Sequence, residues 1–258
     1  MTQIQVNAMT RRFGGVFAVD QVSTAIPKGE IRGLIGPNGA GKTTLLNLIS
    51  GALAPSSGEM LMEGKVLSNL RADQRAAHGI RRTFQNLKLF GELTVLENVV
   101  LGLHSSTDSG ILDAIFRTPR HRREERWALE QSRQALEMVG LGRVADLQAS
   151  SLAYGHRRLL EIARAIVSQP KVLLLDEPAQ GLNPTEASEL VQLLRKINET
   201  DMTVVLVEHH MDVIMKACSR ITVLNYGRVL AEGTPAEIKN DASVVSAYLG
   251  GPVKLAEV

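Results

Sequence analysis

The sequence predicts an α/β fold with a mainly parallel central sheet, an N-terminal antiparallel β-subdomain and an inserted α-helical subdomain. Three observations predict it. Short, continuously apolar runs such as "EIRGLIG" (30–36) and "KVLLLDEP" (171–178) alternate with longer stretches of helical spacing. That strand–helix–strand order gives a parallel sheet covered by helices. The N-terminal "IQVNAMTRRFGGVFAVDQVSTAI" instead alternates apolar and polar residues around a Gly-Gly pair, as antiparallel strands do. The stretch from about 87 to 167 is helix-rich and is expected as a separate helical subdomain within one domain spanning 1–258. The core is then 1–86 plus 168–258.

Taken in order, "EIRGLIG" reads as a buried strand ending in a glycine turn, and "KTTLLNLISGAL" (42–53) as the helix that follows. In the middle, "RTPRHRREERWALEQSRQALEMVG" (117–140) carries five arginines between Arg117 and Arg126. Glu124, Glu125 and Glu130 offer local pairing, so a solvated helix face is expected there rather than a lipid or nucleic-acid contact. "SSLAYGHRRLLEIARAIV" (150–167) has one apolar helical face from Leu159 onward. "KVLLLDEP" is an apolar strand stopped by a proline, "MTVVLVEHH" (202–210) another, and "RITVLNYGRVLAEG" (220–233) a strand pair around a Tyr-Gly turn.

The bulk properties restrict function. The 258 residues are 44% hydrophobic and 22% charged with a net charge of +2, so composition argues for no nucleic-acid partner. Cys218 is the only cysteine, which excludes an internal disulfide. The first residues have no signal-like apolar core, and no window approaches the roughly 18 apolar residues of a membrane span. The expected protein is cytosolic, or bound to a membrane only through partners.

"GPNGAGKTT" (36–44) matches G-x-x-x-x-G-K-[ST] and sits between a strand and a helix, the context a phosphate loop requires. Gly36, Gly39 and Gly41 let the backbone close around phosphates, with Pro37, Asn38 and Ala40 between them. The N–H groups and the start of the next helix form an anion nest. Lys42 would reach the β- and γ-phosphates, Thr43 would offer its hydroxyl to Mg²⁺, and Thr44 completes the motif. Asp176, at the end of a buried strand, would hold Mg²⁺, and Glu177 would orient or deprotonate an attacking water. A P-loop NTPase core that hydrolyses a nucleoside triphosphate is the expectation.

Two features are less direct. Arg157 and Arg158 occupy the start of a helix, the positive pole, where cations are unfavourable; a docked anion would explain them. His209 and His210 end a strand, and adjacent strand residues point to opposite faces, so joint chelation of a metal is not expected.

Further pieces fall in the order of the ATP-binding cassette (ABC) proteins, which this chain resembles from end to end. Gln85 in "RRTFQNLKLF" is similar to the glutamine that senses the γ-phosphate or Mg²⁺ and couples to a membrane partner. "LAYGH" (Leu152, Ala153, Tyr154, Gly155, His156) stands where the family has its signature, Leu-Ser-Gly-Gly-Gln. "AQGLNP" (179–184), with Asn183, resembles the loop that meets the other subunit. His209 resembles the switch histidine, and Phe13 in "RRFGG" the aromatic that stacks on adenine. The resemblance implies an ABC nucleotide-binding domain in which two subunits close head to tail around two ATP molecules, each held between one phosphate loop and the other subunit's signature.

The chain departs from the pattern at Ala153, Tyr154, His156 and Asn183, which stand for serine, glycine, glutamine and aspartate. "LAYG", "EPAQGLNP", "VEHHMD" and the ending "AEGTPAEIKNDASVVSAYLGG" resemble the branched-chain amino acid transporter ATPases, where the altered signature is ordinary. The γ-phosphate would then rest on backbone N–H groups, Ser150 or Ser151, and His156. The resemblance implies a second ATPase subunit, identical or similar, two membrane permeases, an external solute-binding protein, and a peripheral position on the cytoplasmic face of the cell membrane. A lipopolysaccharide exporter ATPase or a soluble ABC ATPase remains an alternative at this level.

Overall fold

The structure, a computed structural model, describes residues 1–83, 88–106 and 119–249. Two sheets organise it. The strands are β1 (Thr2–Phe13), β2 (Val16–Pro27), β3 (Ile31–Ile35), β4 (Ser57–Met62), β5 (Lys65–Val66), β6 (Ile80–Arg82), β7 (Val172–Asp176), β8 (Thr203–Val207), β9 (Arg220–Asn225) and β10 (Arg228–Gly233). The helices are α1 (Lys42–Ser50), α2 (Ala72–Ala77), α3 (Val95–Val100), α4 (Pro119–Met138), α5 (Tyr154–Ile166), α6 (Pro184–Asn198), α7 (Met211–Ala217), α8 (Pro235–Asn240) and α9 (Ala242–Leu249). Short 3₁₀ turns lie among them.

The central sheet has the order β10-β9-β3-β8-β7-β6, parallel except for β10. The second sheet, β2-β1-β4-β5, is antiparallel. The expected fold class is therefore observed, with β4, β5, α2 and β6 added to the elements read from sequence. The helix expected over 42–53 was too long: α1 stops at Ser50 because Gly51 takes a left-handed C-cap (φ 77°).

Every residue of β3, β7 and β8 is buried, which is why these strands read as unbroken apolar runs. Alternate side chains then serve different cores. Leu173, Leu175, Val204 and Leu206 join a cluster with Val99, Leu136, Leu160 and Ile162 of α3, α4 and α5. Val172, Leu174, Val205 and Val207 join the opposite cluster with Leu45, Leu48 and Ile49 of α1 and the inner face of the antiparallel sheet. Burying a side chain of this size stabilises by about 1.5–3 kcal/mol, so the two cores fix both faces of the sheet. The parallel strands deliver their C-terminal ends to one edge, where open α/β sheets bind ligands.

No described helix is long and apolar enough to cross a membrane. Arg117 lies outside the described residues; Arg123 and Arg126 are exposed on α4.

Candidate active site

The phosphate loop follows β3 directly. Gly36 has φ 149°, and a Cβ there would stand 2.1 Å from the Leu224 carbonyl oxygen; at Gly41 (φ 101°) it would stand 2.3 Å from that of Ala18. Only glycine fits either place. The loop is thereby pressed against β9 on one side and β2 on the other. Gly227 ties the same region together, donating its N–H to Ala40 O (3.0 Å) and accepting from Asp20 N (2.8 Å). Gly41 is also the N-cap of α1 and provides no side-chain cap, leaving first-turn N–H groups for an anion. Asn38, Gly39 and Thr43 are exposed at this mouth.

Lys42 curls back over the loop, donating Nζ to Gly36 O (2.6 Å) and Pro37 O (3.0 Å). Burial lowers its pKa from the ordinary 10.5, and the negative charges of Glu177 and Asp176 work against that shift. The lysine and the two carboxylates, read separately from sequence, thus share one electrostatic neighbourhood.

Asp176 closes β7 and is 3% exposed. Its Oδ2 accepts from Arg82 Nη2 at 2.8 Å. Glu177 follows with φ 49°, while its N–H donates to Val207 O on β8 (2.9 Å). A left-handed non-glycine residue carries strain of about 1–2 kcal/mol. Glu177 Oε1 lies 3.8 Å from His209 Nδ1.

Glu208, which sequence reasoning left without a role, holds this arrangement from behind. It is 1% exposed. One oxygen accepts the Ala179 N–H at 2.6 Å, and the other accepts the N–H groups of His209 (3.1 Å) and His210 (3.3 Å) and lies 3.1 Å from His210 Nδ1. The turn after β7 and the turn after β8 are thereby fastened together. The opposite-face expectation for the two histidines is corrected here. β8 ends at Val207, so residues 208–210 do not alternate, and the two imidazole centroids lie 4.3 Å apart. Glu208, His209 and His210 bring one ligand atom each within 4.8 Å of one another.

The signature residues stand at the start of α5. Leu152 is buried, Ala153 is an N-cap without a side-chain bond, and Tyr154 and His156 are exposed. The two cations at this helix start have partners that need no docked anion. Arg157 donates to Leu152 O (2.8 Å) and Ser150 O (2.6 Å), and buried Arg158 pairs with Glu161 at 3.3 Å and lies 5.6 Å from the Tyr154 ring. The Ser151 hydroxyl donates to Gln148 O (2.7 Å).

Asn183 is the N-cap of α6, accepting from Thr185 N and Glu186 N, with Glu186 returning a bond to Asn183 N (2.9 Å) and Pro184 in the first turn. This capping box explains how asparagine serves as well as aspartate there. A Cβ on Gly181 would meet Tyr154 Cε1 at 2.9 Å, and one on Gly155 would meet Glu186 Oε1 at 2.5 Å. The signature and the 179–183 loop are therefore one packed surface.

Phe13 ends β1 and is 48% exposed, with the Arg11 guanidinium 4.7 Å from its ring centroid. Its hairpin partner β2 carries the Ala18 carbonyl that touches Gly41. Gln85 lies outside the described residues.

Comparison with known proteins agrees with this geometry. The ABC transporter family profile matches residues 19–180, and that of the branched-chain amino acid ATP-binding cassette transporters matches residues 228–254. The chain is 45% identical over 248 residues to the high-affinity branched-chain amino acid transport ATP-binding protein LivG of Salmonella typhimurium, covering 96% of this chain and 97% of that one. It is 42% identical to BraF of Pseudomonas aeruginosa, with the same coverage. Among solved structures, the ADP conformation of MJ1267, an ATP-binding cassette of an ABC transporter, superposes with a TM-score of 0.85 at 30% identity, covering 97% of this chain and 99% of that one. A dimeric post-hydrolysis state of the cassette MJ0796, bound to ADP and Pi, superposes with a TM-score of 0.73 at 30% identity over 90% of this chain and 98% of that one. With a phosphate loop, a strand-end carboxylate pair and a packed signature surface in one such fold, the chain belongs to the ATP-binding subunits of the ABC transporters.

Proposed function

We propose that this chain is the ATP-hydrolysing subunit of an importer for branched-chain or related amino acids, working as a dimer on the cytoplasmic face of the cell membrane. One observation carries the catalytic half: Lys42, Asp176, Glu177 and His209 meet at the C-terminal edge of the parallel sheet. The substrate half is supported by the likeness to LivG and BraF along nearly the whole chain and by the match at 228–254.

The residues fit Mg²⁺ and ATP together. The buried carboxylate of Asp176 and the exposed hydroxyl of Thr43 are hard oxygen ligands, and the open loop N–H groups and Lys42 suit phosphate. Bound Mg²⁺ supplies charge neutralisation across the β- and γ-phosphates. The protein's own groups do the rest. The loop from Gly36 to Thr44 cradles phosphate, and Lys42 leaves its two carbonyl partners for the phosphate oxygens. Glu177 accepts the proton of the attacking water, while His209, and with it Gln85, contacts the γ-phosphate. Phe13 stacks on adenine. Leu152 to His156 and Asn183 face the ATP of the second subunit, supported by their packing into one surface. The chain works as one domain, with 87–167 as its helical signature subdomain.

The partners are a second, identical or similar ATPase subunit, two permeases and, through them, a solute-binding protein. Co-purification from membranes tests the assignment. The chain is expected to bring down two permeases whose binding protein holds leucine, isoleucine or valine. A binding protein holding a sugar or metal would overturn the substrate reading, and permeases of an exporter would overturn uptake.

A further inference from the structure

Arg82, the last residue of β6, joins three elements that carry the site. Its Nη2 donates to Asp176 Oδ2 at 2.8 Å, and its Nη1 donates to Asn47 Oδ1 and to Ser50 Oγ (3.3 Å) on α1. Both members of the ion pair are inside, with side chains 12% and 3% exposed. Asn47 is one helical turn beyond Thr43 on the same face of α1, a spacing of about 5–6 Å between Cβ atoms. The guanidinium therefore bridges Asp176 and the helix that carries Thr43, the two residues that would hold a divalent cation. Arg82 pairs with Asp176, and Lys42 lies within electrostatic reach of both Asp176 and Glu177.

We propose that Arg82 is the resident counter-ion of Asp176, occupying one carboxylate oxygen so that a divalent cation is held tightly only when it arrives with nucleotide phosphate. A carboxylate this buried needs a partner charge. With Arg82 paired to it, Asp176 offers a divalent ion less negative charge in the nucleotide-free protein. The phosphates of ATP bring negative charge themselves. Arg82 is a positioning residue in this scheme, acting through Asp176 and touching neither nucleotide nor water. The inference rests on the reading of Asp176 as the Mg²⁺ ligand.

Mn²⁺ binding to the nucleotide-free protein, read by electron paramagnetic resonance, tests it with no turnover involved. Arg82→Gln is expected to bind Mn²⁺ at least tenfold more tightly than wild type, and Arg82→Lys, which keeps the charge, within about threefold of it. Asn47→Asp leaves Arg82 in place but offers it a second carboxylate, and is expected to tighten Mn²⁺ binding as well, which covers the case in which Arg82→Gln does not fold. Adding Asp176→Asn should abolish either gain. Folded Arg82→Gln with wild-type Mn²⁺ affinity, or a gain that survives Asp176→Asn, overturns the proposal. Failure of the underlying reading looks different: Asp176→Asn alone would then leave Mn²⁺-dependent ADP binding unchanged.

Discussion

The Glu208 carboxylate, just after β8, accepts the Ala179 N–H at 2.6 Å and so ties the turn bearing Glu177 to the turn bearing His209. Glu208→Ala would leave the buried Ala179 N–H, and the N–H groups of the exposed residues His209 and His210, without their acceptor. Each unsatisfied group costs about 1–3 kcal/mol. The expected result is a destabilisation of at least about 2 kcal/mol in urea unfolding, with hydrolysis lowered because His209 loses its fixed distance to Glu177. Unchanged stability would remove Glu208 from this role.

Glu177→Gln keeps the shape of the side chain and removes the base. ATP binding should remain, while turnover falls by about 10²–10⁴-fold, the usual contribution of a general base. Wild-type turnover in this variant would refute the assignment.

Lys42 yields a pH dependence with a definite sign. Burial lowers its pKa below 10.5, so the folded protein gives up this proton at a lower pH than the unfolded chain does. Nucleotide affinity should therefore fall as pH rises through the lowered value, on the alkaline side but before 10.5. Lys42's contribution to stability runs the other way, improving over the same window as the buried charge is lost. Lys42→Arg should move the loss of affinity to higher pH, and Lys42→Ala should weaken affinity at every pH by tenfold or more. Isothermal titration with ATP across the alkaline range reads both.

Gly155→Ala places a methyl group 2.5 Å from Glu186 Oε1. The Glu186 side chain can swing away, but it then abandons the capping box of α6, which costs about 1 kcal/mol. Thermal melts should show that loss for Gly155→Ala alone and almost none when Glu186→Ala is already present. Equal losses in both backgrounds would mean that the two residues are not coupled.

The phosphate loop, the apolar strands on either side of it and the glycines at 36 and 41 were legible in the chain because each depends on neighbours within a few residues. Backbone φ, helix starts and strand periodicity are short-range properties, and "GPNGAGKTT" contains all that its own shape requires. The capping box of Asn183 and Glu186 is equally local, written in four consecutive residues, although in the sequence Asn183 stands out only by family resemblance. The other relationships were not legible. Arg82 stood in a quoted motif, and nothing nearby in sequence says that its partner is Asp176. Glu208 was one acid in "VEHHMD", and its bond to Ala179 exists only because β8 lies beside β7. The partners of Arg157 and Arg158 were hidden for the same reason: the carbonyls that Arg157 binds come from a folded-back loop, and the Arg158–Glu161 pair is held by burial. His209 and His210 came out on one side because the strand had already ended. Strand order and burial choose which charges meet, and these emerge only when the apolar faces of distant segments have closed on each other.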